Sequence, residues 1–356
     1  MEQFIREVSE RIQPVHLEAG RAAQLHLDQL TKPPGSLGML ENLAVQLACI
    51  TGEVKSVIHR KTVIVMAADH GVCAEGVSAF PQEVTQQMLL NMLSGGAAIN
   101  VLSRQAGADV LCVDIGVKGN MDHPELLNHK IRQGTGNMAR EQAMTREQAV
   151  QAIVTGMNIA IEAADRGSQL FVTGEMGIGN TTASSAMLCA LTGLSPEEVT
   201  GRGTGLTDSE LKHKAAVIRE ALALHQPDGQ DTIDVLIKVG GLEIAGLVGV
   251  ILGAASQGCP VVLDGFISAV AAVAAYTMAP QVKGYLIGSH MSAEKGHRLA
   301  LAKLGIRPLL QLDMRLGEGT GGVMVLHMID AVSHLMNEMA TFSSARVSDS
   351  SGNISL

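Results

Sequence analysis

Glu318 is the only carboxylate in the octapeptide RLGEGTGG that begins at Arg315, and the glycines around it permit backbone turns that a side chain would forbid. Carried this way, a carboxylate can be aimed into a cleft as a catalytic group; the plainer alternative is a solvated turn glutamate. A second segment begins at Thr173, TGEMGIGNTT. Its glycines at 174, 177 and 179 free the backbone to present N–H groups, and Asn180, Thr181 and Thr182 place capping oxygens where a helix starts. Such a turn suits an anion, because a helix N-terminus brings partial positive charge and unpaired donors, and phosphate is the first ligand to expect. The spacing is neither GxxxxGK[ST] nor GxGxxG, so a purely structural turn stays open. A third segment, GRGTGLTDSELKHK from Gly201, has a flexible loop at Gly203 and Gly205 and offers Asp208 or Ser209 as a helix cap. Lys212 or Lys214, in the helix that follows, could offset a phosphate's charge; a solvated lysine is the alternative.

The elements that position these segments can be read from periodicity. Short β-branched runs alternate with Ala/Leu/Gly-rich helical stretches, the pattern of a parallel sheet covered by helices. The predicted strands are Thr62–Ala67, Ala108–Val113, Gln169–Thr173, Pro260–Leu263 and Lys283–Ile287. Each runs into glycine with a polar group: Asp69 and His70, Asp114, Glu175, Asp264, and Ser289 with His290. In open α/β sheets ligands bind beyond the carboxyl ends of the strands, so these endings are expected to share one rim. The fold class is therefore α/β, an open, mostly parallel, Rossmann-like sheet under helices. A smaller helical domain from the N- and C-terminal segments joins it. The expected division is 61–316 for the α/β substrate-binding domain, 1–60 and 317–342 for the helical one, and a disordered Ser-rich tail over 343–356. In the N-terminal part Pro33, Pro34 and Gly35 break one helix and Ser36 can start the next. Near the C-terminus a helix is predicted over Val323–Met339, with His327 and His334 too far apart for one metal.

Composition narrows the partners. A net charge of −9 with scattered basic residues, no Trp, two Tyr and five Phe excludes a nucleic-acid surface of the usual kind. The five cysteines are odd in number and far apart, which suits small buried hydrophobes in a reducing cytoplasm and not a zinc site. No export segment is read at the N-terminus. The apolar stretch from Ile244 to Pro280 is interrupted too often to span a bilayer and is expected to be buried core. Among the 18 methionines, Met88, Met92 and Met176 fall near the strand ends, where thioethers and Phe80 could hold a flat heteroaromatic ring; ordinary core packing is the alternative.

Taken together and in order, TKPPGSLGMLENLA, AADHGVCAEGVSAFPQEVT, GTGNMAREQAM, TGEMGIGNTT, KVGGLEIAGLVGV, PVVLDGF, SHMSAEKGH and RLGEGTGG resemble the nicotinate-nucleotide:dimethylbenzimidazole phosphoribosyltransferase family from about Lys32 to Gly322. The resemblance implies transfer of the ribose phosphate of nicotinate mononucleotide to a benzimidazole nitrogen, in building the lower ligand of cobalamin, by a cytoplasmic homodimer. By motif it assigns Glu318 as catalytic base. It places donor phosphate and ribose at Glu175, Gly177, Gly179, Asn180, Thr181, Thr182, Gly203, Lys214, Asp264 and Ser292, and the base at Phe80, Met88, Met176 and Leu316. It implies no cofactor, no metal, no nucleic acid and no membrane. Position 80 departs from members with Ser or Tyr there, and position 88 from members with Gln, which leaves the preferred base open.

That chemistry suits the residues present. Nicotinate leaves a pyridinium nucleotide as a neutral ring, so one carboxylate suffices to take the proton of the attacking benzimidazole. Glu175 or Asp264 is expected to contact ribose hydroxyls or to stabilise positive charge on the sugar. A nicotinamide-dinucleotide oxidoreductase would need an acidic strand end about 20 residues after the glycine turn, where LSPEEVTGRG stands instead. A non-catalytic small-molecule-binding subunit would tolerate loss of Glu318.

Overall fold

Strand β1 (Lys61–Ala68) is buried at all eight residues, and its side chains alternate between two apolar clusters. Val63, Val65 and Ala67 enter one, while Ile64, Met66 and Ala68 enter the other, so helices must cover both faces. The computed structural model describes residues 1–201, 205 and 207–348. Five more strands complete a parallel sheet: β2 (Ala108–Gly116), β3 (Leu126–Asn128), β4 (Leu170–Met176), β5 (Val261–Leu263) and β6 (Leu286–Gly288). Their spatial order is β3-β2-β1-β4-β5-β6. The chain reverses its direction of winding between β1 and β4, which opens a crevice beyond their carboxyl ends.

Helices α1 (Glu2–Arg11), α2 (Leu17–Gln29) and α3 (Met39–Thr51) precede the sheet. Helices α4 (Glu83–Leu93) and α5 (Ala98–Ala106) follow β1, and α6 (Arg146–Asp165) precedes β4. Then come α7 (Asn180–Thr192), α8 (Pro196–Val199), α9 (Asp208–His225), α10 (Thr232–Val239) and α11 (Leu242–Ser256). Finally, α12 (Phe266–Met278), α13 (Lys295–Leu304), α14 (Thr320–Glu338) and α15 (Phe342–Ala345) interleave with and follow the last strands. Apolar side chains of α2, α3, α4, α5 and α14 fill one face, and those of α1, α6, α7 and α9 to α13 fill the other.

Several boundaries differ from expectation for identifiable reasons. Strand β4 continues three residues past Thr173 because Gly174 and Glu175 stay in register with Val65 and Met66. The segment predicted to open the last strand is instead a 3₁₀ turn over Pro280–Tyr285, begun by a proline whose fixed φ suits it. Strand β3, three residues at the sheet edge, is too short for alternation to reveal. Helix α3 starts after Gly38, not at Ser36. Glu41 accepts the N–H groups of Gly35 and Leu37 and pairs with buried Lys32 at 2.9 Å, which holds the intervening turn outside the helix. Helix α9 is capped by Thr207, which shares a capping box with Glu210, and not by Asp208 or Ser209. Gly203 and residues 349–356 of the Ser-rich tail lie outside the described residues; the preceding tail residues include α15.

Helices α11 and α12, the apolar stretch noted above, are buried almost throughout, and no helix among the described residues is long and apolar enough to cross a membrane. Helix α11 lies on α6 at backbone distance. A Cβ on Gly156 would overlap the carbonyl of Gly246, one on Gly249 would overlap that of Ile153, and one on Gly253 would stand 2.7 Å from that of Met157. With backbone on the other side, nothing can rotate away. Gly249→Ala should therefore lower unfolding free energy by about 1–3 kcal/mol in a urea titration while turnover per folded molecule stays near wild type.

Candidate active site

The crevice at the switch point is a cavity of about 290 Å³. One wall is apolar: Phe80, Val84, Met88, Met176, Ile178 and Leu316. Val84 and Met88 are one helical turn apart on α4, and Phe80 precedes Val84 by the same interval, a spacing that could have placed all three on one surface. The remaining lining mixes polar Asn180, Thr181, His290, Ser292 and Glu294 with Gly265, Phe266 and Ile267 at the start of α12. Glu175 and Glu318 lie in the lining too. The β4, β5 and β6 endings thus meet there as expected, whereas two others do not. Asp114 accepts the Val117 N–H at 2.9 Å and pairs with Lys130 at 3.1 Å, and Asp69 accepts the Lys118 N–H at 2.7 Å.

Glu318 has φ +64° and sits between Gly317 at +88° and Gly319 at +98°, three successive residues in the left-handed region. Only glycine adopts this region without strain, so the middle residue needs an external hold. Asp264 supplies it from the end of β5. One oxygen, Oδ2, accepts the Gly319 N–H at 3.0 Å, and the other accepts those of Gly321 at 2.7 Å and Gly322 at 3.1 Å. This caps the first turn of α14 from another element. Burial raises the Asp264 pKa, while these three donors favour the carboxylate. Asp264 is 1% exposed and does not line the cleft, so the expectation that it touches ribose is replaced by a positioning role. Gly174 completes the seat, since a Cβ there would run into the Glu318 carbonyl.

The Glu318 carboxylate is oriented as well as placed. Oε2 accepts the Ile99 N–H at 3.3 Å, in the first turn of α5, where the helix dipole favours negative charge. Among the described residues Oε1 has no hydrogen-bond partner. Burial raises the Glu318 pKa, opposed by the Ile99 N–H and assisted by the charge of Asp264. Glu175 is pushed up to about 8, by burial first and then by Asp264 and Glu243, so at neutral pH it is mostly the uncharged acid. Asn180 Nδ2 donates to its Oε2.

The glycine turn is built differently from its sequence reading. Gly174 belongs to the strand, and α7 has Gly179 at its N-cap, with Asn180, Thr181 and Thr182 already helical. No side chain caps α7, nor α12 at Gly265, and the first residues of both line the cleft. Both helix starts bring positive dipole ends to the cleft, although the Asn180 and Thr182 N–H groups already donate to the Gly177 and Gly179 carbonyls. Gly177 and Gly179 are needed for close approach: a Cβ on the first would stand 2.5 Å from the Ala68 carbonyl, and on the second 2.5 Å from Cys73 Sγ. Lys214 is buried and donates to Thr181 Oγ1 at 2.7 Å; burial lowers its pKa to about 8. Gly179, Thr182 and Lys214 stand behind the lining, as supports. Met92 is core, and Lys212 is exposed. Beneath the turn, His70 Nε2 and Glu243 form a buried pair at 2.6 Å that sequence reading missed. Among the described residues no cluster of three or more His, Cys, Asp or Glu is arranged to hold a metal.

Paired helix N-termini, a buried cation and an oriented carboxylate at the switch point of a doubly wound sheet define a nucleotide-handling enzyme of the α/β class. A family model described as phosphoribosyltransferase matches residues 12–347. The nicotinate-nucleotide–dimethylbenzimidazole phosphoribosyltransferase of Chloroflexus aggregans is 54% identical over 339 residues, covering 95% of this chain and 96% of that protein. The enzyme of the same name from Halalkalibacterium halodurans is 51% identical over 346 residues, covering 97% of each. A crystal structure of the Thermus thermophilus enzyme of that name superposes with a TM-score of 0.89 at 46% identity, over 93% of this chain and 99% of that one. The chain belongs to the nicotinate-nucleotide–dimethylbenzimidazole phosphoribosyltransferase family. A dinucleotide oxidoreductase is disfavoured, because among the described residues α7 is followed by α8 and α9 and not by a strand with an acidic end.

Asp264→Asn puts an amide N–H against backbone donors. It should cost about 1–3 kcal/mol of stability in a urea titration and reduce kcat more than it raises the donor KM. A ribose contact would raise KM first.

Proposed function

We propose that this chain transfers the 5-phosphoribosyl group of nicotinate mononucleotide to 5,6-dimethylbenzimidazole or a related base, with inversion, giving α-ribazole 5′-phosphate and nicotinate for the nucleotide loop of cobalamin. The observation that carries the chemistry is Glu318, buried, fixed through Oε2 and open at Oε1, between an apolar wall and an anion-receptive one.

The benzimidazole lies against Phe80, Met88, Met176 and Leu316, where an uncharged ring replaces water on apolar side chains. The donor phosphate takes the N-termini of α7 and α12 with Lys214 behind Thr181, and Ser292 and Glu175 face the ribose. One ring nitrogen of the base attacks the anomeric carbon with its lone pair. The bond to nicotinate breaks, and its electrons return to the pyridine nitrogen, which leaves neutral and needs no proton. The new benzimidazolium loses its other N–H proton to Glu318 Oε1. Attack opposite the leaving ring converts the β-nucleotide into the α-ribotide. Holding two rings on either side of one carbon removes much of the entropic barrier.

In the 61–316 division Glu318 belongs to the terminal-segment unit and the donor wall to the α/β unit, so both contribute to the cleft. The chain is expected to work as a cytoplasmic homodimer. All five cysteines are free, which suits a reducing compartment, and Phe80, Leu90, Val101, Leu312 and Leu316 are exposed apolar side chains available to a partner copy. Light scattering should return twice the chain mass of 37.2 kDa.

Purified protein mixed with nicotinate mononucleotide and 5,6-dimethylbenzimidazole should release nicotinate and form a ribotide of the corresponding mass. Glu318→Gln should lower kcat by about 10²- to 10⁴-fold with its melting profile retained; wild-type rates would remove Glu318 from the mechanism. The pH dependence follows in sign. Glu318 acts as carboxylate, so kcat/KM rises with pH along a limb above the ordinary glutamate range, because burial raises its pKa. It falls again near pH 8 as Lys214 loses its charge. Lys214→Met should raise the donor KM and weaken the alkaline limb, leaving the part due to Glu175, which loses its proton in the same range.

A further inference from the structure

Of the polar groups on the cleft wall, His290 has no role so far. It follows β6, is 3% exposed, and lines the cavity between Gly265 and Ser292. Its ring nitrogens can be told apart. Ser289 Oγ donates to the Asp264 carbonyl at 3.1 Å, and a hydroxyl has one proton, so at the 3.0 Å contact with His290 Nδ1 the serine oxygen accepts and Nδ1–H donates. The same ring edge faces α14, where a Cβ on Gly321 would overlap Nδ1 and Cε1. Nε2 lies across Cε1 from Nδ1, and no group among the described residues is hydrogen-bonded to it, on a ring that lines the cleft. Burial lowers the His290 pKa, with Asp264 opposing, so the ring is neutral at physiological pH and Nε2 presents a lone pair.

A neutral lone pair accepts only. It repels the donor's phosphate and its nicotinate carboxylate, which are acceptors themselves. Given the phosphoribosyl-transfer reading above, the substrates bring three hydrogen-bond donors: one benzimidazole N–H and two ribose hydroxyls. The N–H belongs to Glu318 Oε1, and the benzimidazole to the α4 and β4 side of the cleft, whereas His290 stands on the β5 and β6 side with the uncapped α12 N-terminus. We propose that His290 Nε2 accepts a hydrogen bond from a ribose hydroxyl of the donor nucleotide and so fixes the rotation of the sugar about its bond to the departing ring. Ser289 and the Asp264 carbonyl hold the tautomer, which links the sugar contact to the strand end that also holds the Glu318 loop.

The test pairs the protein with altered donors. Wild type and His290→Phe, with His290→Asn as a second variant that keeps an acceptor oxygen, are assayed with nicotinate mononucleotide and with its 2′-deoxy and 3′-deoxy analogues, following nicotinate release. Wild type should lose about five- to tenfold in kcat/KM with one deoxy donor. His290→Phe should lose a similar factor with the ribo donor and nothing further with that deoxy donor, while His290→Asn keeps part of the discrimination. Losses that multiply in His290→Phe, or a wild type indifferent to both deoxy donors, would overturn the assignment. If His290→Phe does not fold, His290→Asn decides: discrimination fully equal to wild type or losses that multiply count against it, and a reduced, non-multiplying loss supports it. Wild type that releases no nicotinate with any donor or base would instead overturn the phosphoribosyl-transfer reading, so the two failures are distinguishable.

Discussion

Three backbone N–H groups converging on the Asp264 carboxylate hold this site together. The first turn of α14 would otherwise begin with unpaired donors in a buried setting, next to a non-glycine residue in the left-handed region. Asp264 satisfies the donors, and the strained residue it stabilises is the one whose carboxylate faces the cleft. Strain and function coincide here because the conformation that costs energy also turns Glu318 away from solvent and toward the α5 N-terminus. Gly174 in the middle of β4 is part of the same constraint, since only a bare strand lets the loop lie against it.

Crowding of acids around this loop sorts them by charge. Glu175, Asp264, Glu243 and Glu318 influence one another inside a buried volume, and not all can be ionised together at low cost. Asp264 has backbone donors and Glu318 has a helix N-terminus, both of which favour the anion. Glu175 has only Asn180 and keeps its proton to about pH 8. The outcome is one carboxylate able to take a proton beside one acid already carrying one, arranged by neighbours and not by residue type.

Much of this was legible in the sequence, for physical reasons that also set the limit. β-branched runs ending in glycine and acid marked β1, β2, β4 and β5, because a strand buried on both faces has little choice of residue. Glu318 stood out because the glycines on either side permit turns that a side chain would forbid, and so can aim a carboxylate into a cleft. The role of Asp264 was misread as a substrate contact, since its partners lie more than fifty residues on and are backbone groups that no side-chain pattern reveals. The glycines at 174, 177 and 179 were read for their N–H groups, and each one also prevents a clash with a distant element that the local sequence does not reveal. His290 was visible as a polar strand end, but its tautomer depends on a carbonyl on the neighbouring strand. The short β3 and the late start of α3 escaped because one lacks enough residues for a period and the other is set by the buried Lys32–Glu41 pair.

Phe80 and Leu316 are about half exposed at the mouth of the cleft, while the opposite wall is buried and bonded into the sheet. Substitution is therefore not equally costly in the two halves of the cleft. A change at the mouth alters which flat ring fits and leaves folding almost untouched, whereas a change at the donor wall disturbs strand ends, helix starts and the seat of the base together. If the acceptor ring lies at that mouth, as proposed, its identity can be altered by single substitutions that leave the buried framework of the site in place.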